Sequence, residues 1–315
     1  MRAIGFDQPG GPEVLHVLEV PEPHAGPGEV RIKIRAATVN PSDLATRSGV
    51  AHDRYRDVAP PYIPGWDAAG IVDEADPETG WRPGDEVIAI TLPVFDGGGA
   101  YAEWIVVPAA SVARIPAGSD FPAAATLPMN GLTARLALDT AKLDRGQSIA
   151  VTGAAGAVGG YVIQLAKEAG LTVVADAAPR DEALVRELGA DLVVPRGEDV
   201  AEQIRSHFPT GVDALVDGAL QRQLAVPAIR DHGAYVALRP TTMAGPVESE
   251  RGIAMHFVMV RDYIHEAEKL DDLRRLVETG AVTLRVARTL PFTEAPEAHR
   301  LLEAGGLRGR VVLEF

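Results

Sequence analysis

The stretch that decides the fold is VTGAAGAVGG, residues 151–160. It continues the apolar run SIAV and leads into YVIQLAKEAG, which has the composition of a helix. Gly153, Gly156 and Gly159 have the spacing G-x-x-G-x-x-G, which turns a strand sharply into a helix and lets a pyrophosphate approach the backbone. The free N–H groups that begin such a helix attract negative charge. We therefore expect a dinucleotide to bind here, and a tight turn without a ligand is the alternative. The expected contacts are Gly153, Ala154, Ala155, Gly156, Ala157, Val158 and Gly159.

Strand and helix patterns alternate after this loop. Strands are predicted at LTVVAD, DLVVP, GVDALVDGA and AYVAL, and RQLAVPAIRDHG is predicted to be mostly helical. With the strand that ends at the glycine loop, five strands separated by helices predict a parallel sheet built from βαβ units. The Ala/Leu-rich helical segment in front of this sheet begins near residue 121, so the loop lies well inside the chain.

The residues before this segment are β-rich. EVRIKIRAATV, residues 29–39, alternates apolar and charged side chains with the period of a half-buried strand. The terminal GRVVLEF, residues 309–315, is too short to form a domain, and we expect it to add a strand to the N-terminal sheet. A long amphipathic helix is predicted over 263–279. The predicted domains are therefore 1–120 plus 262–315, with a Rossmann dinucleotide-binding domain at 121–261 inserted between the two parts.

Composition excludes several functional classes. The chain has 315 residues, a formal net charge of −14 and no cysteine. Without cysteine there are no disulfides, thiol nucleophiles or cysteine-ligated zinc sites. The acidic balance argues against nucleic acid as a partner. No apolar run is long enough to span a bilayer, so we expect no membrane association and a cytoplasmic location.

The residues alone leave the choice of dinucleotide open. Asp176 lies about 20 positions after the glycine loop, where an acidic residue holds the ribose 2′-hydroxyl of NAD. Arg180 follows four residues later and favours a 2′-phosphate, as in NADP.

Several longer motifs occur in order along the chain: ATVNPSDLATRSG, PGWDAAGIV, RPGDEVIA, GGAYAEWIVVP, AATLPMNGLTARLAL, VTGAAGAVGGYVIQLAK, RELGAD and AHRLLEAGGLRGRVVLEF. By these motifs the chain resembles, at full length, the zinc-free quinone oxidoreductase branch of the medium-chain dehydrogenase/reductase superfamily. The resemblance implies a GroES-like β-rich catalytic domain with an inserted Rossmann domain. It also implies a homodimer that pairs through the edge strand of the nucleotide domain, for which GAYVAL is the candidate edge.

The same motifs bear on metal binding. Zinc-dependent relatives have a cysteine ligand at Asn40 and a His-Glu pair at Trp66 and Asp67, and neither Asn nor Trp is a zinc ligand of the usual kind. We therefore expect no metal. Without a Lewis acid, the chemistry suited to such a site is hydride transfer to an electron-poor acceptor, a quinone or an enone. Two departures from the family pattern are Asp67 for the usual Glu and Arg310 for the lysine of the final GK.

By resemblance, the side-chain amide of Asn40 is expected to donate to the acceptor oxygen, with a turn residue as the alternative, and Asp43 is expected to brace its loop. Tyr55 is a second catalytic candidate, with an exposed loop residue as the alternative. Phe257 and Val258 are expected to close over the nicotinamide, or else to be core. Further cofactor contacts are expected at Met129, Asn130, Thr133, Gly218, Ala219, Leu238 and Arg239.

The family pattern also favours NADPH. Aligning TVVADAAPRD with it puts Ala177 at the position of the ribose-binding acid. A strand's side chains alternate, so this offset predicts that Asp176 turns away from the ribose and that Arg180 pairs with a 2′-phosphate. The predicted activity is an NADPH-dependent reductase of quinones or enones. An enoyl-thioester reductase is the alternative within enzymes. A non-catalytic NADPH-binding sensor or structural protein is the alternative of another class.

Overall fold

The computed structural model describes residues 1–95, 98–238 and 247–315. Its strands, in chain order, are β1 Arg2–Gly5, β2 His16–Glu19, β3 Glu29–Thr38, β4 Asp67–Ala75, β5 Glu86–Ile90, β6 Trp104–Pro108, β7 Val112–Arg114, β8 Ser148–Thr152, β9 Thr172–Ala177, β10 Leu192–Pro195, β11 Val212–Asp217, β12 Ile229–Ala237, β13 Ala254–Phe257, β14 Val286–Pro291 and β15 Arg310–Glu314. Its α-helices are α1 Pro41–Arg47, α2 Phe121–Ala124, α3 Pro128–Ala141, α4 Ala157–Glu168, α5 Glu182–Glu187, α6 Val200–His207, α7 Ala267–Glu278 and α8 Ala295–Ala304. Within these ranges no helix is both long enough and apolar enough to cross a bilayer.

The chain divides into two compact units. Unit 1 comprises Met1–Met129, Ile264–Thr279 and Leu284–Phe315, and unit 2 comprises Asn130–Tyr263 with Gly280–Thr283. The sequence places the changes of domain at 120/121 and 261/262, whereas the units change at 129/130 and 263/264. The first change falls inside α3, which runs across it without a break.

Unit 1 contains a mostly antiparallel sheet in the order β14-β15-β3-β4-β5-β7, and β6 also pairs with β3. In β3 the alternation read from the sequence is visible, because Val30, Ile32 and Ile34 are buried between more exposed charged residues. β15 pairs antiparallel with the end of β3, and Val312 lies opposite Thr38. The prediction that the C-terminal strand joins the N-terminal sheet is confirmed.

Unit 2 contains a parallel sheet in the order β10-β9-β8-β11-β12-β13. This is the order 3-2-1-4-5-6 of the Rossmann fold, and it places the buried β8, which leads into the glycine loop, at the centre. The fold class predicted from the sequence is confirmed.

Two details of the predicted sheet are wrong. β12 begins at Ile229 rather than near residue 234, because a short 3₁₀ turn, Val226–Ala228, ends there and Ile229 pairs with Val212 of β11. A sixth strand, β13, then covers β12 on its far side. GAYVAL therefore lies between two strands for most of its length and is not an edge.

Candidate active site

The glycine loop joins β8 to α4, and its three spaced glycines meet different requirements. Gly153 has φ 68°, and a Cβ there would lie 2.9 Å from the carbonyl carbon of Gly218. A Cβ on Gly159 would lie 2.4 Å from the carbonyl oxygen of Gly153. Gly156, the residue before α4, has φ −70°, and among the described residues a Cβ there meets only the Gly153 oxygen, at 3.0 Å. The first two positions close the turn, and the third leaves its outer side free for a phosphate group.

The loop after β11 packs against the start of the glycine loop. The backbone N–H groups of Gly218 and Ala219 donate to the carbonyl and the hydroxyl oxygen of Thr152, at 3.1 and 3.2 Å. Gly218 and Ala219, predicted as cofactor contacts, thus lie beside the glycine loop in unit 2. This is the carboxyl edge of a parallel sheet, where ligands of open α/β sheets bind.

Asp217 organises this edge, and the sequence analysis missed it. Its buried carboxylate accepts hydrogen bonds from the hydroxyls of Thr152 and Tyr235, each at 2.6 Å, and from the backbone N–H of Arg222 at 2.7 Å. Burial and the bond to Asp217 raise the pKa of Tyr235 far above its ordinary value. The available signal was an aspartate that ends an apolar strand immediately before a glycine.

Asp176 faces the glycine loop, so the predicted offset is wrong. The side chain is 3% exposed, and its Oδ1 accepts a hydrogen bond from the backbone N–H of Ala154 at 3.1 Å. Its Oδ2 has no partner within the described ranges. Burial raises the pKa of this carboxyl, and hydrogen bonding to the loop and the charge of Arg196 act in the opposite direction. A buried acceptor without a partner beside the loop fits a ribose hydroxyl.

The remaining residues predicted to contact the cofactor have varied environments. Arg180 follows β9 with its side chain 75% exposed, and its Nε lies 3.9 Å from Asp181. Asn130 and Thr133 are buried in α3, and Met129 precedes them, half-buried, in unit 1. Phe257 ends β13 and is partly exposed, whereas Val258 is buried. Leu238 follows β12, and Arg239 lies outside the described residues.

In unit 1, four buried side chains form what we call the Asp67 cluster: Thr38, Asn40, Asp67 and Arg310. Asp67 Oδ2 accepts hydrogen bonds from the Thr38 hydroxyl at 2.6 Å, Asn40 Nδ2 at 2.9 Å and Arg310 Nη2 at 2.9 Å. Arg310 Nη2 also donates to Thr38 Oγ1 and, at 2.7 Å, to Asn40 Oδ1. The charges of Asp67 and Arg310 are thus paired with each other and hydrogen-bonded inside the protein, as buried charges require.

This geometry corrects the expected role of Asn40. Its amide nitrogen donates to Asp67 and, at 3.4 Å, to the carbonyl oxygen of Thr38, and its amide oxygen accepts from Arg310. The side chain is fully buried. In this arrangement Asn40 has no N–H left for an acceptor oxygen, and its backbone forms the N-cap of α1.

A second buried polar group adjoins the cluster. The Asp43 carboxylate accepts the backbone N–H groups of Asn40 and Gly65, each at 2.9 Å, so it braces its loop. Burial, with the charge of Asp67, raises the pKa of Asp43 to about 7 against the opposing effect of these hydrogen bonds. The Tyr101 hydroxyl lies 3.2 Å from His299 Nε2, and burial, with the nearby Arg47 cation, lowers the pKa of His299 to about 3.

Tyr55 is a core residue, so its interpretation as an exposed loop residue is wrong. It is 2% exposed, its hydroxyl donates to the carbonyl oxygen of Thr46 at 2.6 Å, and its ring contacts Tyr62 at a centroid distance of 4.8 Å. Burial raises the pKa of this phenol. These contacts hold the loop after α1 in place and leave the hydroxyl engaged within the protein.

The described residues include no group of three His, Asp or Glu side chains that is placed to hold a metal ion. At the positions where zinc-dependent relatives have a cysteine and a histidine, Asn40 bonds to Arg310, and Trp66 has an indole N–H without a partner in the described part of the chain. An indole N–H donates and cannot ligate a metal.

Comparisons with known proteins agree with this architecture. Residues 26–117 match the alcohol dehydrogenase GroES-like domain family, and residues 188–313 match the zinc-binding dehydrogenase family. A chloroplastic quinone oxidoreductase of Triphysaria versicolor is 30% identical over 100% of this chain and 98% of its own. A chloroplastic NADPH-dependent alkenal/one oxidoreductase of Arabidopsis thaliana is 31% identical over 99% of this chain and 79% of its own. The structure of a quinone oxidoreductase from Coxiella burnetii is similar with a TM-score of 0.87 at 30% identity, over 100% of this chain and 99% of that one.

A GroES-like unit, a Rossmann sheet with its glycine loop and these relatives together define an oxidoreductase of the medium-chain dehydrogenase/reductase superfamily. Within that superfamily, the chain belongs to the quinone oxidoreductase family.

Proposed function

We propose that this oxidoreductase transfers hydride from NADPH to a quinone or another activated, enone-type acceptor without a metal ion. The observation that carries the proposal is the glycine loop, closed by Gly153 and Gly159 and open at Gly156. When bound, the reduced nicotinamide supplies the hydride. The backbone N–H groups at the start of α4 hold the pyrophosphate, because the helix dipole and the free donors both favour negative charge there.

The other residues of this proposal bind and orient the cofactor. Asn130 and Thr133 in α3, with Met129, contact its nicotinamide end, and Phe257 and Val258 close over it. Gly218, Ala219 and Leu238 contact it from the strand ends of unit 2. An enone takes the hydride at its β-carbon and a proton from solvent at its α-carbon, whereas a quinone takes up one hydride and one proton from solvent to give a hydroquinone with both hydrogens on oxygen. Such acceptors take hydride without a strong Lewis acid.

Charges near the ribose end support NADPH with limited selectivity. Arg180 follows β9 and Arg196 follows β10, and these strands are neighbours, so both guanidinium groups lie near the same edge of the sheet. Either can pair with a 2′-phosphate. Asp176 acts in the opposite direction, because its unpartnered oxygen suits the 2′-hydroxyl of NADH and its charge repels a phosphate. We therefore propose that NADPH is preferred and that NADH is also accepted.

The protein is further proposed to be a cytoplasmic homodimer. β13 is the edge strand of the unit 2 sheet next to β12, which supports pairing through this edge. Sedimentation at several protein concentrations tests the assembly. The location rests on the sequence alone.

The deciding experiment is NADPH and NADH consumption with a panel of quinones, enones and enoyl thioesters. Turnover of quinones or enones is expected, and preference for enoyl thioesters would instead establish the alternative enzyme. The complete hydrogen bonding of Asn40 favours one further candidate, a nucleotide-binding protein without turnover. Cofactor binding without consumption across the whole panel would establish that candidate and contradict the proposal.

A further inference from the structure

The Asp67 cluster joins segments that are far apart in the sequence. Thr38 ends β3, Asn40 caps α1, Asp67 begins β4 and Arg310 begins β15. Each of these side chains is buried, and each is bonded to at least two of the others. The orientation of the Asn40 amide is fixed by this network, because its nitrogen donates to Asp67 and its oxygen accepts from Arg310.

The same two charged residues also hold the start of α3. Asp67 Oδ1 accepts the backbone N–H of Met129, the second residue of the helix. Arg310 Nη1 donates to the carbonyl oxygen of Thr126, just before the helix, at 3.3 Å. The carboxylate of Asp67 thus binds a backbone N–H just after the helix start, and the guanidinium of Arg310 binds a backbone carbonyl oxygen just before it. Asn130 and Thr133 follow within the next turn of α3.

We propose that Asp67 and Arg310 are positioning residues for hydride transfer, which fix the first turn of α3 without touching the acceptor. This inference rests on the proposed function, because it is the proposed function that gives α3 its contacts with the nicotinamide end of the cofactor. The role requires a guanidinium, since Nη1 and Nη2 of Arg310 donate in different directions. A lysine ammonium at the end of a flexible chain cannot reproduce this fork.

The test compares Arg310→Met and Arg310→Lys with a matched control. Arg31 lies in the same strand as Thr38, and its guanidinium, with a side chain 12% exposed, pairs with Asp73 and, at 2.7 Å, with Glu74. It is separated from Thr38 by about 23 Å of strand. Arg31→Met therefore removes a partly buried, paired guanidinium from unit 1 at a distance from the Asp67 cluster.

We expect Arg310→Met to lower kcat about 10- to 100-fold, as a small misplacement of reacting groups does. The Kd of ADP should stay within about twofold, because ADP needs only the glycine loop and the strand ends of unit 2. Arg310→Lys should give a kcat between those of Arg310→Met and wild type. Arg31→Met should lower Tm, as Arg310→Met also should, but should leave kcat within about twofold of wild type.

A folded Arg310→Met protein with wild-type kcat would overturn the inference, as would an equal loss of kcat in Arg31→Met. If Arg310→Met does not fold, Thr38→Val is the deciding variant. Valine has a volume similar to that of threonine, so this change removes one hydroxyl and keeps the ion pair between Asp67 and Arg310. A decrease in kcat of about threefold is expected for it, and none would contradict the inference.

Failure of the proposed function gives a different pattern. In that case wild type consumes no cofactor with any acceptor, and NADPH affinity is compared with ADP affinity in the same variants. Weaker NADPH binding with unchanged ADP binding in Arg310→Met would still support positioning at α3. Equal behaviour of the two nucleotides would reject it.

Discussion

In the glycine loop of unit 2 the groups proposed to bind the pyrophosphate are backbone amides, and the glycines leave room for it because they have no side chain. In the Asp67 cluster of unit 1 the interacting groups are side chains from four segments, each buried and each bonded to at least two of the others. The loop is local, since ten consecutive residues define it. The cluster is non-local, since Asp67 and Arg310 are 243 positions apart.

Substitutions should affect the glycine loop and the Asp67 cluster in different ways. A side chain added to the loop removes space for a ligand, and the sheet behind it is unaffected where the added atoms have room. Removal of one partner from the cluster leaves the others buried without compensation, which costs several kcal/mol of stability. Function and stability are therefore separable in unit 2 and coupled in unit 1, and the following predictions test this contrast.

The largest expected effect is the response of unit 1 to pH. His299 is neutral in the folded protein, and above pH 6.5 it is neutral in the unfolded chain too. The contribution of His299 to the free energy of unfolding is therefore complete above pH 6.5 and is lost as the pH falls towards 3. Asp43 acts in the opposite direction, because its carboxyl stays protonated in the folded protein up to about pH 7. Its contribution to the free energy of unfolding is therefore complete below pH 3.8 and is lost as the pH rises to about 7. From pH 7 to 5 each group contributes about 2 kcal/mol, with opposite signs.

The measurement is the free energy of unfolding in urea at pH 7 and pH 5. Relative to wild type, His299→Gln should gain about 2 kcal/mol on acidification, and Asp43→Asn should lose a similar amount. Parallel pH profiles for wild type and both variants would show that neither group is perturbed as the burial in unit 1 requires.

Next in size is Gly156→Val in unit 2. A Cβ at this position meets only the Gly153 oxygen among the described residues, so the fold should survive while the branched side chain occupies the phosphate side of the loop. Cofactor affinity should fall at least tenfold, about 1.4 kcal/mol. Isothermal titration with NADPH measures the loss, and near-UV circular dichroism reports on the fold. Gly159→Ala is the contrasting variant, because its Cβ would lie 2.4 Å from the Gly153 oxygen and should lower Tm. Unchanged NADPH affinity in folded Gly156→Val would reject the loop as the phosphate site.

The same contrast explains what could be predicted from the sequence. The glycine loop and the parallel sheet were predictable, because spacing and hydrophobic period are local properties of the chain. The Asn40–Arg310 hydrogen bond could not be predicted, because the two local sequences do not show that the end of β3 lies next to the start of β15. The face of Asp176 was also misjudged, since an offset of one residue along a strand reverses the direction of a side chain and the alignment of a short segment does not determine it.

A smaller effect is expected in the choice of cofactor. Wild type should prefer NADPH over NADH in kcat/KM by less than about fivefold, because Asp176 opposes the two arginines. Asp176→Asn keeps an acceptor for the Ala154 N–H and removes the charge, so it should raise the ratio by about fivefold, or 1 kcal/mol. Arg180→Ala should lower it. A wild type that prefers NADH, or a ratio that neither variant changes, would contradict the assignment of these charges.

The smallest expected effect is that of metal removal. A zinc ion at the positions of Asn40 and Trp66 would need the Asn40 amide oxygen, which accepts a hydrogen bond from Arg310 at 2.7 Å. The guanidinium would repel the ion, and the indole of Trp66 offers no lone pair in its place. The positive charge in the Asp67 cluster is thus the guanidinium of Arg310, which begins β15. Purified protein should therefore contain much less than one zinc per chain, and dialysis against a chelator should leave kcat and Tm unchanged. Metal analysis that finds one zinc per chain, with activity lost on chelation and restored by zinc, would require the Asn40–Arg310 bond to open and would overturn the metal-free mechanism.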